Sequence, residues 1–251
     1  MKIIVSLEKK EHFLIAEKIQ DYVDGWKIGH IGYGIAKYDR TDPWARLNRY
    51  RLRTEKEIFF DFKLWDTPNT VKTVIEMCIK EGATMATVST FNNDAVYKEL
   101  EQYKDDIKLL AVTYLTSWDS DEQYQICREM PDFMWRRHLG RIMEHGFYGV
   151  VCSARDIGML SGADPNHKLK RVCPGITFGV NLGGQVRGTT PKQALDYGAD
   201  YIVVGRLVTE SSDPISTIKA GDVSSDDKIL QGSGWNLNES GSITCQELTN
   251  D

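Results

Sequence analysis

The stretch FFDFKLWDTPNT, residues 59–70, sets two carboxylates and an ammonium at the end of an apolar run. Asp61, Lys63 and Asp66 follow Phe59 and Phe60, and Pro68-Asn69-Thr70 comes directly after. Charges in such a place cost stability unless they pair or serve a reaction. Asp61 and Lys63 are two apart on a strand, so they are expected to point to one side. Asp66 falls past the strand, in a loop that Pro68 separates from the next helix.

Outward from this stretch, short apolar runs alternate with amphipathic segments. Strand-like runs are IIVSL (3–7), GWKIG (25–29), EIFFDFK (57–63), ATVST (86–90), IKLLAVTYL (107–115), YGVVCSA (148–154), a weaker KRVCPGI (170–176) and DYIVVG (200–205). Helix-like segments cover 11–23, 43–54, 67–81, 93–103, 132–145, 153–161, 190–197 and 212–219. A doubly wound open sheet gives a similar alternation. Eight strand–helix units in about 220 residues favour an α/β fold closed into a (β/α)8 TIM barrel over residues 1–220. Beyond it, residues 221–251 are rich in Gly, Ser, Asn and acidic side chains, with few apolar anchors. They are expected to form a flexible or loosely docked polar tail.

Composition narrows the function. A net charge of -5 gives no general footprint for nucleic acid. No run of about eighteen apolar residues occurs, so no membrane span is expected. MKIIVSLEKK reads as a first strand and not as a signal peptide. Five scattered cysteines without a C-x-x-C argue against a disulfide framework or a zinc site, and fit a reducing cytoplasm. The basic, aromatic stretch within 30–56 reads as a helix with a solvated face, or as a docking surface for an anionic partner.

In such a barrel the chemistry sits at the C-terminal ends of the strands. Lys27 ends the strand WKIG and is placed to share a mouth with Asp61 and Lys63. A second cluster follows strand seven. The Gly-rich loop FGVNLGGQVRGTTP (178–191) precedes VVGR, where Gly205 leaves room for a ligand and Arg206 offers a planar donor fork. Loops after strands seven and eight hold phosphate in many barrels, so a phosphate-bearing ligand is expected.

These residues carry a resemblance. IIVSLE (3–8), WKIG (26–29), DFKLWDTPNT (61–70), LLAVTYLTS (109–117), GVVCSA (149–154), CPGI (173–176), GQVR (184–187), DYIVVGRLVT (200–209) and DPISTI (213–218) resemble orotidine 5'-phosphate decarboxylases in order along the chain. The resemblance implies a homodimeric enzyme without metal or organic cofactor that converts orotidine 5'-monophosphate to UMP and CO2 in de novo pyrimidine biosynthesis. It implies Lys63 as proton donor to C6 and Asp61 as the carboxylate beside the substrate's own. Asp66 and Thr70 match residues that reach into the neighbouring subunit's site. Lys27 matches a ribose contact and Thr116 a pyrimidine contact. Gln185, Gly205 and Arg206 match the phosphate grip. An ammonium between Asp61 and Asp66 is held by opposite charge, ready for the carbanion that loss of CO2 leaves.

Some positions depart from the family's pattern. Glu8 stands where an Asp binds ribose, Thr67 where an Ile lines the pocket, and Ser89 where a His follows Val. Thr177 replaces an Arg after PGI, and Gly184 an Asp before the phosphate-loop Gln. Loss of one phosphate donor weakens binding by on the order of a few kcal/mol, which predicts an active enzyme with a high Michaelis constant. Two other readings stay open: a magnesium-dependent sugar-phosphate decarboxylase or synthase of the same superfamily, and a non-catalytic nucleotide-binding protein.

Overall fold

The computed structural model describes residues 1–30, 32–33, 55–115, 117–177, 188–221, 235–237 and 243–245. The helix expected over 43–54, most of the basic aromatic stretch, Thr116, Gln185 and Gly184 lie outside the described residues. Eight parallel strands close into one barrel in sequence order. They are β1 (Lys2–Leu7), β2 (Gly25–Gly29), β3 (Glu57–Leu64), β4 (Met85–Ser89), β5 (Lys108–Val112), β6 (Gly149–Val151), β7 (Lys170–Cys173) and β8 (Tyr201–Val204). The barrel seals where β8 pairs with β1, with Ile4 opposite Val203.

Period-two alternation divides each strand between two cores. Ile4, Phe59, Met85, Leu110, Val172, Tyr201 and Val203 fill the barrel interior. Their neighbours Val5, Phe60, Ala86, Leu109 and Ile202 face outward and pack beneath the helices. Each large aliphatic or aromatic side chain buried this way contributes about 2 kcal/mol. At Gly25 a Cβ would stand 2.5 Å from the Glu57 carbonyl oxygen, so only glycine lets β2 approach β3 there.

The helices are α1 (Lys10–Ile19), α2 (Pro68–Lys80), α3 (Asp94–Leu100), α4 (Ser120–Cys127), α5 (Pro131–Glu144), α6 (Ile157–Ala163), α7 (Pro191–Tyr197), α8 (Arg206–Thr209) and α9 (Pro214–Gly221). α2 begins on Pro68, at a position where no backbone donor is needed, and buries Val71, Ile75 and Cys78 against the strands. α4 was not expected. Its apolar pattern is weak, but Asp119 and Glu122 form a reciprocal capping box that satisfies the first turn. In the tail, Trp235–Leu237 (β9) pairs antiparallel with Ile243–Cys245 (β10).

The N-terminal mouth of the barrel is closed by charge. Glu57 accepts from Lys108 and from the Thr84 hydroxyl at 2.7 Å, and lies 3.4 Å from Lys2. The Tyr148 and Tyr201 hydroxyls meet at 2.9 Å beside it, with Lys2 over one ring and Lys108 over the other. Burial pushes the Glu57 carboxyl up, but Lys108, Thr84 and Lys2 outweigh it and hold it below its ordinary value. A depressed carboxyl contributes stability above its unfolded pKa and loses it as pH falls through the folded one. Glu57→Ala is therefore expected to cost about 3 kcal/mol near neutral pH, with the gap from wild type narrowing below about pH 4. Urea unfolding at several pH values checks both; a gap independent of pH would refute the ionic account.

Candidate active site

The opposite end of β3 carries the other charged cluster. Asp61 shares its parity with Phe59 and so turns toward the barrel axis, where its side chain is 11% exposed. One oxygen, Oδ2, accepts from Lys63 Nζ at 2.9 Å and from Lys27 Nζ at 3.2 Å. The other, Oδ1, accepts from the Thr87 hydroxyl at 3.0 Å. Burial pushes the Asp61 carboxyl up, yet Lys27 and Lys63 together pull it below its ordinary value. Asp61 is thus an anion held between two ammonium groups.

Lys27 extends the chain of charges. It lies opposite Phe59 in the β2–β3 register, and its Nζ is 3.9 Å from Glu8 Oε1. Glu8 Oε1 also accepts from Ser6 Oγ at 3.0 Å. The Glu8 backbone N–H donates to His12 Nδ1 at 3.1 Å. Burial and the Lys9 charge push the His12 pKa down, which keeps that nitrogen an acceptor. The longer side chain of Glu8 therefore still reaches the cluster expected of a shorter Asp.

Lys63 joins Asp61, but not by simple alternation. The β3–β4 register is regular through Phe60↔Ala86 and resumes only at Leu64↔Val88. Inside this irregularity Lys63 takes a left-handed conformation, φ 49°. A non-glycine residue there carries about 1 kcal/mol of strain or more. Its N–H donates to the Thr87 hydroxyl at 2.8 Å. The bulge turns the Lys63 side chain back onto Asp61.

Asp66 is not brought to Lys63. It is exposed, its Oδ1 accepts from the Thr67 N–H at 2.7 Å, and it makes no ion pair among the described residues. Thr67 and Thr70 meet through their hydroxyls at 3.0 Å on the exposed rim. The Lys63 ammonium expected between two carboxylates is held by one, Asp61, among the described residues.

Beside the charges opens a cavity of about 440 Å³, lined by Glu8, Lys27, Thr177, Gly205 and Arg206 among others. A Cβ at Gly205 would meet Ser6 Cβ at 3.8 Å, so the missing side chain keeps room in the mouth without relieving a clash. The wall after β7 is pinned by the Thr177 N–H donating to the Thr189 carbonyl at 2.9 Å. Thr87 and Ser6 were missed from sequence, although each is a hydroxyl inside an apolar strand run, which is the available signal.

The sequence model of the orotidine 5'-phosphate decarboxylase / HUMPS family matches residues 1–220. The chain belongs to that family. Orotidine 5'-phosphate decarboxylase of Psychromonas ingrahamii is 35% identical over 228 residues, spanning 87% of this chain and 94% of the relative. That of Dictyoglomus thermophilum is 30% identical over 238 residues, spanning 86% and 92%. The crystal structure of the Lactobacillus acidophilus enzyme of that name superposes with a TM-score of 0.67 at 25% identity, covering 87% of this chain and 96% of that one. The family match confirms the resemblance carried by the D-x-K-x-x-D string.

Thr87 is the hinge between the aspartate and the bulge. Thr87→Val keeps its shape and removes both bonds, leaving Asp61 Oδ1 and the Lys63 N–H short of a partner. Unfolding free energy is expected to fall by about 1–3 kcal/mol. A urea midpoint equal to that of the wild type would show that the hydroxyl does not hold the bulge.

Proposed function

We propose that this chain decarboxylates orotidine 5'-monophosphate to UMP and CO2 in pyrimidine biosynthesis. The observation that carries the reading is the Lys27–Asp61–Lys63 cluster at the C-terminal mouth, in a chain of this family. Loss of CO2 leaves an electron pair on C6 that the pyrimidine ring does not delocalise. The Lys63 ammonium stabilises that charge and then passes its proton to C6. Asp61, fixed as an anion, repels the substrate carboxylate, and that repulsion is relieved as CO2 departs.

The phosphate end supplies binding energy remote from the reacting carbon. Gly205 and Arg206, with Gln185 from the loop after β7, are the proposed grip, and Lys27 and Glu8 the proposed ribose contacts. Thr116 is the proposed pyrimidine contact and Thr67 lies at the rim. Thr177 takes the place of a guanidinium, which supports the expectation of weaker phosphate binding. No metal or organic cofactor is needed for these steps.

A homodimer completes the site in this reading. Asp66 is exposed and unpaired with its own Lys63, next to Trp65 (72% exposed), whose ring lies 6.5 Å from that of Phe91 (42% exposed). An isologous interface over these apolar residues would carry Asp66 and Thr70 to the neighbour's Lys63. Among the described residues Cys78, Cys127, Cys152 and Cys173 are free thiols, three of them buried, which supports a cytoplasmic setting. Among the described residues no helix is long and apolar enough to cross a membrane.

The test is absorbance on mixing the protein with orotidine 5'-monophosphate in EDTA, beside Lys63→Ala. Turnover is expected in EDTA and a loss of about 10³-fold or more in the variant, with UMP still bound. Dependence on magnesium would select the sugar-phosphate branch, and UMP binding by a folded but inert wild type would select a non-catalytic protein. For the dimer, Lys63→Ala and Asp66→Ala chains are each expected to be inactive. Refolded together they should regain about a quarter of wild-type activity, since half the dimers carry one intact site. No recovery on mixing would place both residues in one chain's site.

A further inference from the structure

The irregular end of β3 has to be held by something other than strand pairing. Between Phe60 and Leu64 the ladder with β4 is interrupted, and Lys63 sits in the left-handed region. Backbone groups so displaced need partners, and residues in such conformations persist only when their surroundings over-determine them. Thr87 supplies one partner, on the N–H of Lys63. The next partner is Asn92, in the loop after β4.

Asn92 is 4% exposed and uses its whole amide. Its Nδ2 donates to the Leu64 carbonyl at 2.8 Å and to the Ser89 carbonyl at 2.9 Å. Its Oδ1 accepts from the Asp66 N–H at 3.3 Å. The orientation is unambiguous, because a flipped amide would set its oxygen against two carbonyls. One side chain thus grips the residue after Lys63 and the backbone of Asp66, and ties both to the end of β4.

Asn92 is itself anchored. Arg141 on α5 donates to the Asn92 carbonyl at 2.9 Å and to the Thr90 carbonyl at 3.4 Å. The same guanidinium donates to Asp94 Oδ1 at 2.7 Å and lies over the Tyr97 ring at 5.0 Å. The brace therefore runs from α5 through the loop after β4 to the bulge. A planar fork against several acceptors leaves little freedom to any of them.

We infer that Asn92 is a positioning residue for decarboxylation, fixing Lys63 for its own site and Asp66 for the neighbour's. The inference rests on the proposed decarboxylase reading for its catalytic consequence. Asn92 is not among the residues lining the cavity, and its side-chain bonds all go to backbone groups. It acts on the backbone on either side of the bulge, and a displacement of about 1 Å there is enough to lower a rate on the order of 10²-fold.

Two variants test it. Asn92→Ala removes the amide. Asn92→Asp keeps its size and its acceptor for Asp66 but replaces the donor facing the Leu64 and Ser89 carbonyls. Both are expected to lower kcat by about 10²-fold while UMP affinity stays within about threefold, a split that a general loss of structure would not give. Amide hydrogen exchange over residues 62–66 reads positioning without any substrate, and is expected to quicken in both variants while α9 and β8 keep their protection. Unchanged exchange over 62–66 would overturn the inference, as would a kcat within threefold of wild type or a kcat that falls only in step with UMP affinity. A wild type without turnover would refute the decarboxylase reading separately, and the exchange result would still decide whether Asn92 holds the bulge.

Discussion

A carboxylate buried between two ammonium groups is the constraint on which the site depends. Asp61 faces the barrel interior, where an unpaired anion would cost several kcal/mol. Lys27 from β2 and Lys63 from the end of β3 remove that cost, and the Thr87 hydroxyl from β4 takes the remaining oxygen. Three neighbouring strands are thereby bound to one group. The closed barrel makes this possible, because it fixes the ends of β2, β3 and β4 relative to each other before any substrate arrives. Electrostatic stabilisation works only when the charges need no reorganisation, and a rigid strand end provides that.

β3 divides stability from function along its own length. Glu57 at its start and Asp61 near its end are both interior carboxylates, with Phe59 between them in the apolar layer. The lower one is saturated by Lys108, Lys2 and Thr84 and plugs the barrel. The upper one is paired by two lysines, of which Lys27 also lines the open cavity, so that partner is available to a ligand. The irregularity of β3 belongs to the upper end alone, where strain places Lys63.

The departures from the family's pattern are absorbed by the surrounding structure in different ways. Glu8 reaches Lys27 with its extra methylene, supported by Ser6 and His12. Ser89, in place of an imidazole, presents its hydroxyl to the Phe91 N–H and its carbonyl to Asn92. Thr67 turns to Thr70 at the rim. Thr177 packs within 3.1 Å of where a Cβ on Gly188 would stand, so it serves the base of the loop after β7 and brings no charge to the cavity.

The barrel was legible because it is written in local patterns. Apolar runs at period two, amphipathic segments between them and Pro or Gly at the joints each depend on a few adjacent residues. D-x-K-x-x-D-x-P-N-T likewise names its own chemistry. α4 escaped because its capping box is local but its apolar face is weak. The bulge at Lys63 escaped for a deeper reason: period two predicts a straight strand, and nothing in EIFFDFKL signals that Thr87 and Asn92 will take the place of ladder bonds. That Lys27 is the second lysine on Asp61, that Asp66 turns away from Lys63, and that Asn92 and Arg141 brace the loop between them depend on residues 24 to 49 positions apart. By itself the sequence determined the strands, their order and the chemical types at the mouth. Only the closed tertiary structure decided the pairing, since hydrogen bonds and charges act over a few ångströms of space and not along the chain.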